Sequence, residues 1–295
     1  MSGYVARLAA GSVAVFILSA ALLAQPNERV LYVNAYDAKT RKPVAGLGVK
    51  DFVVREDGVA REVLRVTPAS SPMPIAVLVD NTQAVAPNIA DIRKALSSFV
   101  KAVDGLGPVA IVGFADRPTI LRDYTTNQKQ LEDGVGRVFA TPGAGATLLD
   151  AIVETSRGIR KREEDRASLV VLSSENVEFS TRYYKDVLDE LKAGGAALHV
   201  VLLNTPAGTR LDDPSRNRAS VFDLGPKNSG GTRDDVLTSQ AFEEKMVELA
   251  GILKNQYRLV YARPQALIPP DRVEVTSARD SVEASGGPAR GQPVR

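Results

Sequence analysis

The sequence predicts an α/β protein: a doubly wound, mostly parallel six-stranded sheet preceded by a small β module. Three observations carry that prediction. From residue 74 onward, short apolar runs of strand composition alternate with helix-period patterns, an order that calls for parallel strands covered by helices. The first of these runs, Pro74-Ile75-Ala76-Val77-Leu78-Val79, ends in Asp80 and the turn Asn81-Thr82-Gln83-Ala84, at the strand end where open α/β sheets place their ligands. Residues 28–67, in contrast, hold only short strand-like segments broken by turn residues.

In that amino-terminal stretch, residues 30–36 have strand composition, residues 37–43 are turn formers, and short strands follow through residue 66. Asp57-Gly58 is a pair that joins hairpin strands. In the α/β part the strand candidates are Ile75–Val79, 109–114, 168–172, 197–203 and 256–261, with 119–121 a short edge strand beside the second. The helix candidates are 88–103, 128–138, 148–160, 183–193 and 239–254. Residues 204–235, rich in Pro, Gly, Asp, Arg and Ser, read as a long loop leaving the 197–203 strand on the same rim as Asp80. Such a loop either shapes a binding surface or is a loose solvated insertion. After residue 264, residues 272–276 form a strand candidate, and the Gly- and Pro-containing stretch from Ser285 is expected to be mobile. The domain reading is therefore 1–25 signal peptide or amino-terminal anchor, 28–67 β module, 72–263 α/β domain, and 264–295 strand and flexible tail.

The chain has 295 residues, enough to bury a full core. Its 37 Lys and Arg against 35 Asp and Glu leave a formal charge of +2, with the basic residues scattered, which argues against nucleic acid as a partner. Arg7, the apolar stretch from Leu8 to Leu23 and the small residues before Gln25-Pro26 have the order of a secretory signal. The alternative is an uncleaved anchor, since a bilayer span takes roughly 17 to 25 residues. The expectation is export to the periplasm, to the outside, or to a membrane-anchored location, with membrane contact only if this segment is uncleaved. No cysteine is present, so no disulfide framework or thiol chemistry arises.

Asp80 and Thr82, two residues apart in a strand-end turn, supply a carboxylate and a hydroxyl that can face one cation. Thr147, in Pro142-Gly143-Ala144-Gly145-Ala146-Thr147-Leu148-Leu149-Asp150, and Glu175, after the buried run 168–174, are further oxygen donors on the same predicted rim. Here the sequence resembles the von Willebrand factor A (vWA) family, whose metal-ion-dependent adhesion site uses Asp-x-Ser-x-Ser, then a Thr, then an Asp. Asp80 and Thr82 fit the first two positions, Ala84 replaces the second Ser, Thr147 fits the Thr, and Glu175 stands in for the distal Asp. Pro43-Val44-Ala45-Gly46-Leu47, the Asp51-Phe52 to Glu56-Asp57-Gly58 pattern and Asn255-Gln256-Tyr257 resemble an exported subgroup of vWA proteins known mainly from acidobacterial genomes. The resemblance implies a Rossmann-like vWA domain, Mg²⁺ as the cation of a degenerate site formed by Asp80, Thr82, Thr147 and Glu175, and a protein partner whose own acidic residue completes the metal shell. Each residue also has a plain structural role to weigh. A strand-end Asp braces the next loop, Thr82 stabilises its own turn, Thr147 is an N-cap candidate for the helix at Leu148, and Glu175 is a solvated carboxylate.

Enzyme chemistry finds little footing. Thr82 stands where a haloacid-dehalogenase-type phosphatase needs its second Asp, and the glycine loop at 143–147 lacks the Gly-Lys pair of a P-loop. No Gly-x-Ser-x-Gly elbow is present, and the single histidine, His199, sits inside an apolar strand. The expected function is that of an exported, non-enzymatic protein that binds another protein through the Asp80 rim. The alternative is a structural or assembly protein with a vestigial metal site and contacts made by the β module, and a metal-assisted hydrolase is a third reading. If the site works through a metal, Asp80→Ala is expected to abolish binding with little loss of fold.

Overall fold

The structure is a computed structural model that describes residues 27–204, 212–264 and 268–290. In chain order the elements are β1 (Asn27–Asp37), β2 (Phe52–Glu56), β3 (Val59–Arg61), β4 (Val63–Pro68), β5 (Ile75–Val79), α1 (Ile89–Ala102), β6 (Val109–Gly113), β7 (Thr119–Thr125), α2 (Gln128–Gly136), α3 (Leu148–Arg160) and β8 (Ala167–Ser174). They continue as α4 (Tyr184–Gly194), β9 (Ala196–Leu203), α5 (Asp213–Ser229), β10 (Arg233–Val236), α6 (Ala241–Lys254), β11 (Tyr257–Arg263), β12 (Val273–Ser277) and β13 (Val282–Pro288). Residues 1–25, read as a signal or anchor, lie outside the described residues, and no described helix is long and apolar enough to cross a membrane.

Six strands form the central sheet in the order β10-β9-β8-β5-β6-β7. All neighbours are parallel except β7, which pairs antiparallel with β6 at one edge. The side-chain alternation of β5 shows how both faces are covered. Ile75, Val77 and Val79 enter one core with α1, α2 and α6, while Ala76 and Leu78 enter a second with α3, α4 and α5. Every residue of β5, β6 and β8 is buried, as expected of strands covered on both sides.

The strand expected at 256–261 forms as β11, but outside this sheet. It lies between β1 and β4 in a four-stranded antiparallel sheet of order β13-β1-β11-β4. The sixth strand of the central sheet is β10, in the stretch read as a loop. That stretch also contains α5, a correction with a clear cause. Asp212 caps the helix by accepting from the Ser215 N–H at 2.9 Å, and Gly230 ends it in the left-handed conformation. The helix is predominantly polar and encloses Pro226, so its periodicity is faint although both end signals are present. Residues 205–211 of the same stretch lie outside the described residues.

The expectation of a mobile tail from Ser285 is corrected for its described part, because residues 285–288 pair with β1 as the end of β13, while residues 291–295 lie outside the described residues. Gly286 and Gly287 allow this close approach: a Cβ on Gly230 would sit 2.1 Å from the Gly286 carbonyl carbon. Asp57 (φ +47°) and Gly58 (φ +82°) turn the β2–β3 hairpin with positive φ at both central positions, as the sequence pair predicts.

The motifs of the β module find one another. The Tyr257 hydroxyl donates to the Val44 carbonyl at 2.7 Å and accepts from the Leu47 N–H at 3.2 Å, while its ring meets Phe52 at 5.6 Å. Glu56, 2% exposed, accepts from Arg61, Tyr261 and Arg263. Gln256 accepts from Arg166 at 3.0 Å and donates to Asn34 at 2.9 Å, and Asn34 donates to the Gly230 carbonyl at 2.9 Å. This buried polar chain fastens the module to the α/β core.

His199 is fully buried in β9, where its Nδ1 accepts from the Thr232 N–H at 3.2 Å. Burial, helped by the positive field of Arg41, pushes its pKa from 6.5 down to about 3. The unfolded chain takes up a proton near 6.5 and the native chain only near 3, so stability is lost as pH falls through that window. Denaturant unfolding at pH 5 is expected to show a loss of about 2 kcal/mol from this group relative to pH 7, and His199→Gln is expected to remove that pH dependence. The contact at Gly230 gives a second test by thermal melting: Gly230→Ala should cost about 3 kcal/mol or more, whereas Gly136→Ala, with no atom within 4 Å of the new Cβ, should change stability by less than about 1 kcal/mol.

Candidate functional site at the strand ends

Strand β5 delivers Asp80 to the centre of the sheet's carboxyl edge, where it is fully buried. Its Oδ1 accepts from the Thr82 N–H at 3.0 Å and the Thr82 hydroxyl at 2.8 Å. Its Oδ2 accepts from the Ser174 N–H and hydroxyl, both at 3.1 Å, and from Asn176 Nδ2 at 2.7 Å. A carboxylate offers about four lone-pair sites. With two donors on one oxygen and three on the other, the carboxylate is saturated by protein groups.

Asn176 also donates from Nδ2 to the Thr82 hydroxyl at 3.2 Å. Its Oδ1 accepts from Arg218 Nη1 at 2.6 Å, and Arg218 Nη2 donates to the Ser174 carbonyl at 2.9 Å. A carboxylate only accepts and a guanidinium only donates, so the amide orientation of Asn176 is fixed by its two neighbours. Arg218, 6% exposed, reaches this point from α5. Burial lowers its pKa, opposed by the negative fields of Glu178, Asp80 and Glu175. Glu178 is buried too, with its pKa pushed up to about 7 by desolvation against the pull of Ser180 and Arg218.

Of the residues expected to hold a cation, Asp80 and Thr82 are in direct contact. Thr147 occupies the N-cap position of α3, but its hydroxyl donates to the Ala115 carbonyl at 2.7 Å instead of capping the helix. Glu175 is exposed, its N–H donating to the Leu203 carbonyl at 3.1 Å, and the groups that reach Asp80 from this segment are its neighbours Ser174 and Asn176. No cluster of three or more His, Asp or Glu side chains suited to a metal occurs among the described residues. The donor set around Asp80, a guanidinium-backed amide with hydroxyl and peptide N–H groups, does not fit a divalent cation. The geometry also revises the expected cost of Asp80→Ala, which would take the acceptor from the buried N–H and hydroxyl groups of both Thr82 and Ser174.

The rim is tied together beyond this cluster. Asn81 Oδ1 accepts from the Ala115 N–H at 3.0 Å, the Asn81 carbonyl accepts from the Thr141 N–H at 2.9 Å, and the Gln83 N–H donates to the Ala144 carbonyl at 3.2 Å. Residues 177–179 bond residue 146 through N–H to carbonyl contacts of 2.9 and 2.7 Å. Phe139 and Phe179 stand exposed on these loops, at 62% and 59%, and Leu237, at 84%, follows β10 on the same edge of the sheet.

The sequence analysis assigned no role to Ser174, Asn176 or Arg218. The spacing Ser174-x-Asn176 after a buried strand was a readable signal for two inward-facing polar groups. Arg218 carried none, because its helix was read as a loop.

No family model and no curated protein matches the sequence. Among solved structures, a von Willebrand factor type A protein from Catenulispora acidiphila aligns over 89% of this chain and 73% of its own, at 10% identity and a TM-score of 0.50. Proximal thread matrix protein 1 from the mussel byssus aligns over 67% of this chain and half (50%) of its own length, at 11% identity and a TM-score of 0.51. Likeness at these identities is likeness of fold, and it agrees with the sheet order and the helices on both faces: the chain carries a domain of the von Willebrand factor A fold.

Proposed function

We propose that this is an exported, non-enzymatic binding protein that recognises a protein partner through the Asp80 rim, with an adhesion-type metal site that has degenerated. The observation that carries the reading is the division of labour at the rim. Polar groups are locked inside it by mutual hydrogen bonds, while Phe139 and Phe179 are left exposed on loops held in place by that lock, with Leu237 exposed after β10 on the same sheet edge. Fixed loops carrying exposed aromatic and aliphatic side chains suit recognition by shape and apolar contact. Ala84 and the outward Glu175 support degeneration of the site, and the amino-terminal composition supports export. Buried His199, remote from the rim loops, supports a non-enzymatic role.

A second reading, assembly through the β module, draws on a different observation. A concavity of about 700 Å³ lies between α4, the end of α5 and the segments around β12 and β13, at the opposite end of the sheet from Asp80, with Lys185, Lys192, Lys227, Arg272 and Arg290 in its lining. Four of these basic residues are exposed and the fifth, Arg290, is bonded to the Ile159 and Arg160 carbonyls, so the rim is the better-supported site.

Photo-crosslinking from single sites in the producing cells separates the two readings. A crosslinking residue at Phe179 or Leu237 is expected to give discrete protein adducts, and one at Val59 in the β module none; adducts from Val59 alone would replace the rim reading with assembly. Purified protein is expected to turn over neither phosphate esters nor glycosides, and turnover abolished by Asp80→Asn would restore the hydrolase. By thermal melting, Asp80→Ala is expected to lose about 3 to 5 kcal/mol, the cost of breaking a buried charged network. Binding studies with that variant therefore need a stability control.

A further inference from the structure

We infer that Arg218, acting through Asn176, is a built-in substitute for a divalent cation: it supplies the positive charge beside Asp80 and fixes the rim without metal. The inference concerns how the rim is assembled and does not depend on what the rim binds.

Asp80 is fully buried and Glu178 is 2% exposed, on neighbouring rim segments. Buried carboxylates are stable only with a compensating charge or a full set of donors. Among the described residues Arg218, bonded to the Asn176 amide and the Ser174 carbonyl, is the buried cation whose field reaches both, on a helix capped by Asp212 and ended by Gly230. A cation beside Asp80 would need oxygen ligands from the 80–82 turn and from the segment after β8. Those positions hold the Thr82 hydroxyl, the Ser174 hydroxyl and the Asn176 amide, and all three already donate to Asp80. Each lone pair that Asp80 would offer a metal faces a donor hydrogen, and Asn176 turns its amide nitrogen, not its oxygen, toward the carboxylate. Asn176 transmits the guanidinium charge: one end of its amide is pulled by Arg218 at 2.6 Å and the other is pressed on Asp80 at 2.7 Å. Arg218 also holds the Asn176 and Ser174 carbonyls, so one side chain sets both the charge and the course of the 174–176 segment.

The chemical signature is a rim indifferent to divalent cations until Arg218 is removed. Mg²⁺ and Mn²⁺ titrated calorimetrically into the 26–295 chain are expected to give no binding heat, and EDTA is expected to leave its Tm within about 1 °C. Arg218→Met should lower Tm by about 5 °C or more, against little change for Arg216→Met on the exposed side of the same helix. The double variant Arg218→Met/Asn176→Asp places a second carboxylate beside Asp80 with no guanidinium, and Mn²⁺ or Mg²⁺ is expected to raise its Tm, a response that simple loss of packing would not produce. Metal binding by the unaltered chain that disappears in Asp80→Ala would overturn the inference. So would an Arg218→Met variant as stable as Arg216→Met, or a folded double variant that ignores both cations.

Discussion

The buried carboxylate of Asp80 is the constraint around which the strand ends are arranged. It lies at the tip of the central strand, out of reach of water, so every lone pair has to meet a donor from the chain. Meeting that requirement brings three separate segments together: the turn at Thr82, the end of β8 at Ser174 and Asn176, and, through Asn176, the side of α5 at Arg218. The adjoining loops at 114–115 and 141–147 are then tied to the first turn by Asn81 and Gln83. The rim is a hydrogen-bonded edge, and Phe139 and Phe179 take their positions from the loops it ties.

A second buried network does the corresponding work at the junction with the β module. Arg166, Gln256, Asn34 and Gly230 link the start of β8, the start of β11, β1 and the end of α5 in one chain. The module itself draws strands from both ends of the described chain, since β1 lies between β11 and β13. The Asn-Gln-Tyr and Pro-Val-x-Gly-Leu motifs therefore have a physical explanation that needs no ligand: Tyr257 and Gln256 are hydrogen-bonding hubs of the junction. The same helix, α5, joins both networks, with Arg218 at the rim and Gly230 at the module.

Much of the α/β core was legible because burial on both faces leaves a strong mark on sequence. Runs such as Ile75–Val79 and 169–172 are wholly apolar, and the amphipathic helices between them have clear periods. The parts that were not legible share a cause. β10 and α5 are short or polar, and their identity depends on end caps and tertiary contact more than on pattern. The strand at 256–261 was read as a strand, but periodicity says nothing about which sheet a strand will join; the polar anchors Gln256 and Arg263 and the pairing with β1 decide that. At the site, Asp80 and Thr82 were identifiable from position alone, whereas Arg218 required knowledge that a helix passes behind the rim.

The central claim is that the rim is one unit organised on Asp80 without a metal ion. Native-state hydrogen exchange of the Thr82 and Ser174 amides, both of which donate to Asp80, tests it most directly when recorded with and without EDTA. The account predicts slow exchange at both amides that EDTA does not alter, and loss of protection at both together in Arg218→Met. Fast exchange in EDTA that becomes slow on addition of Mg²⁺ would contradict it.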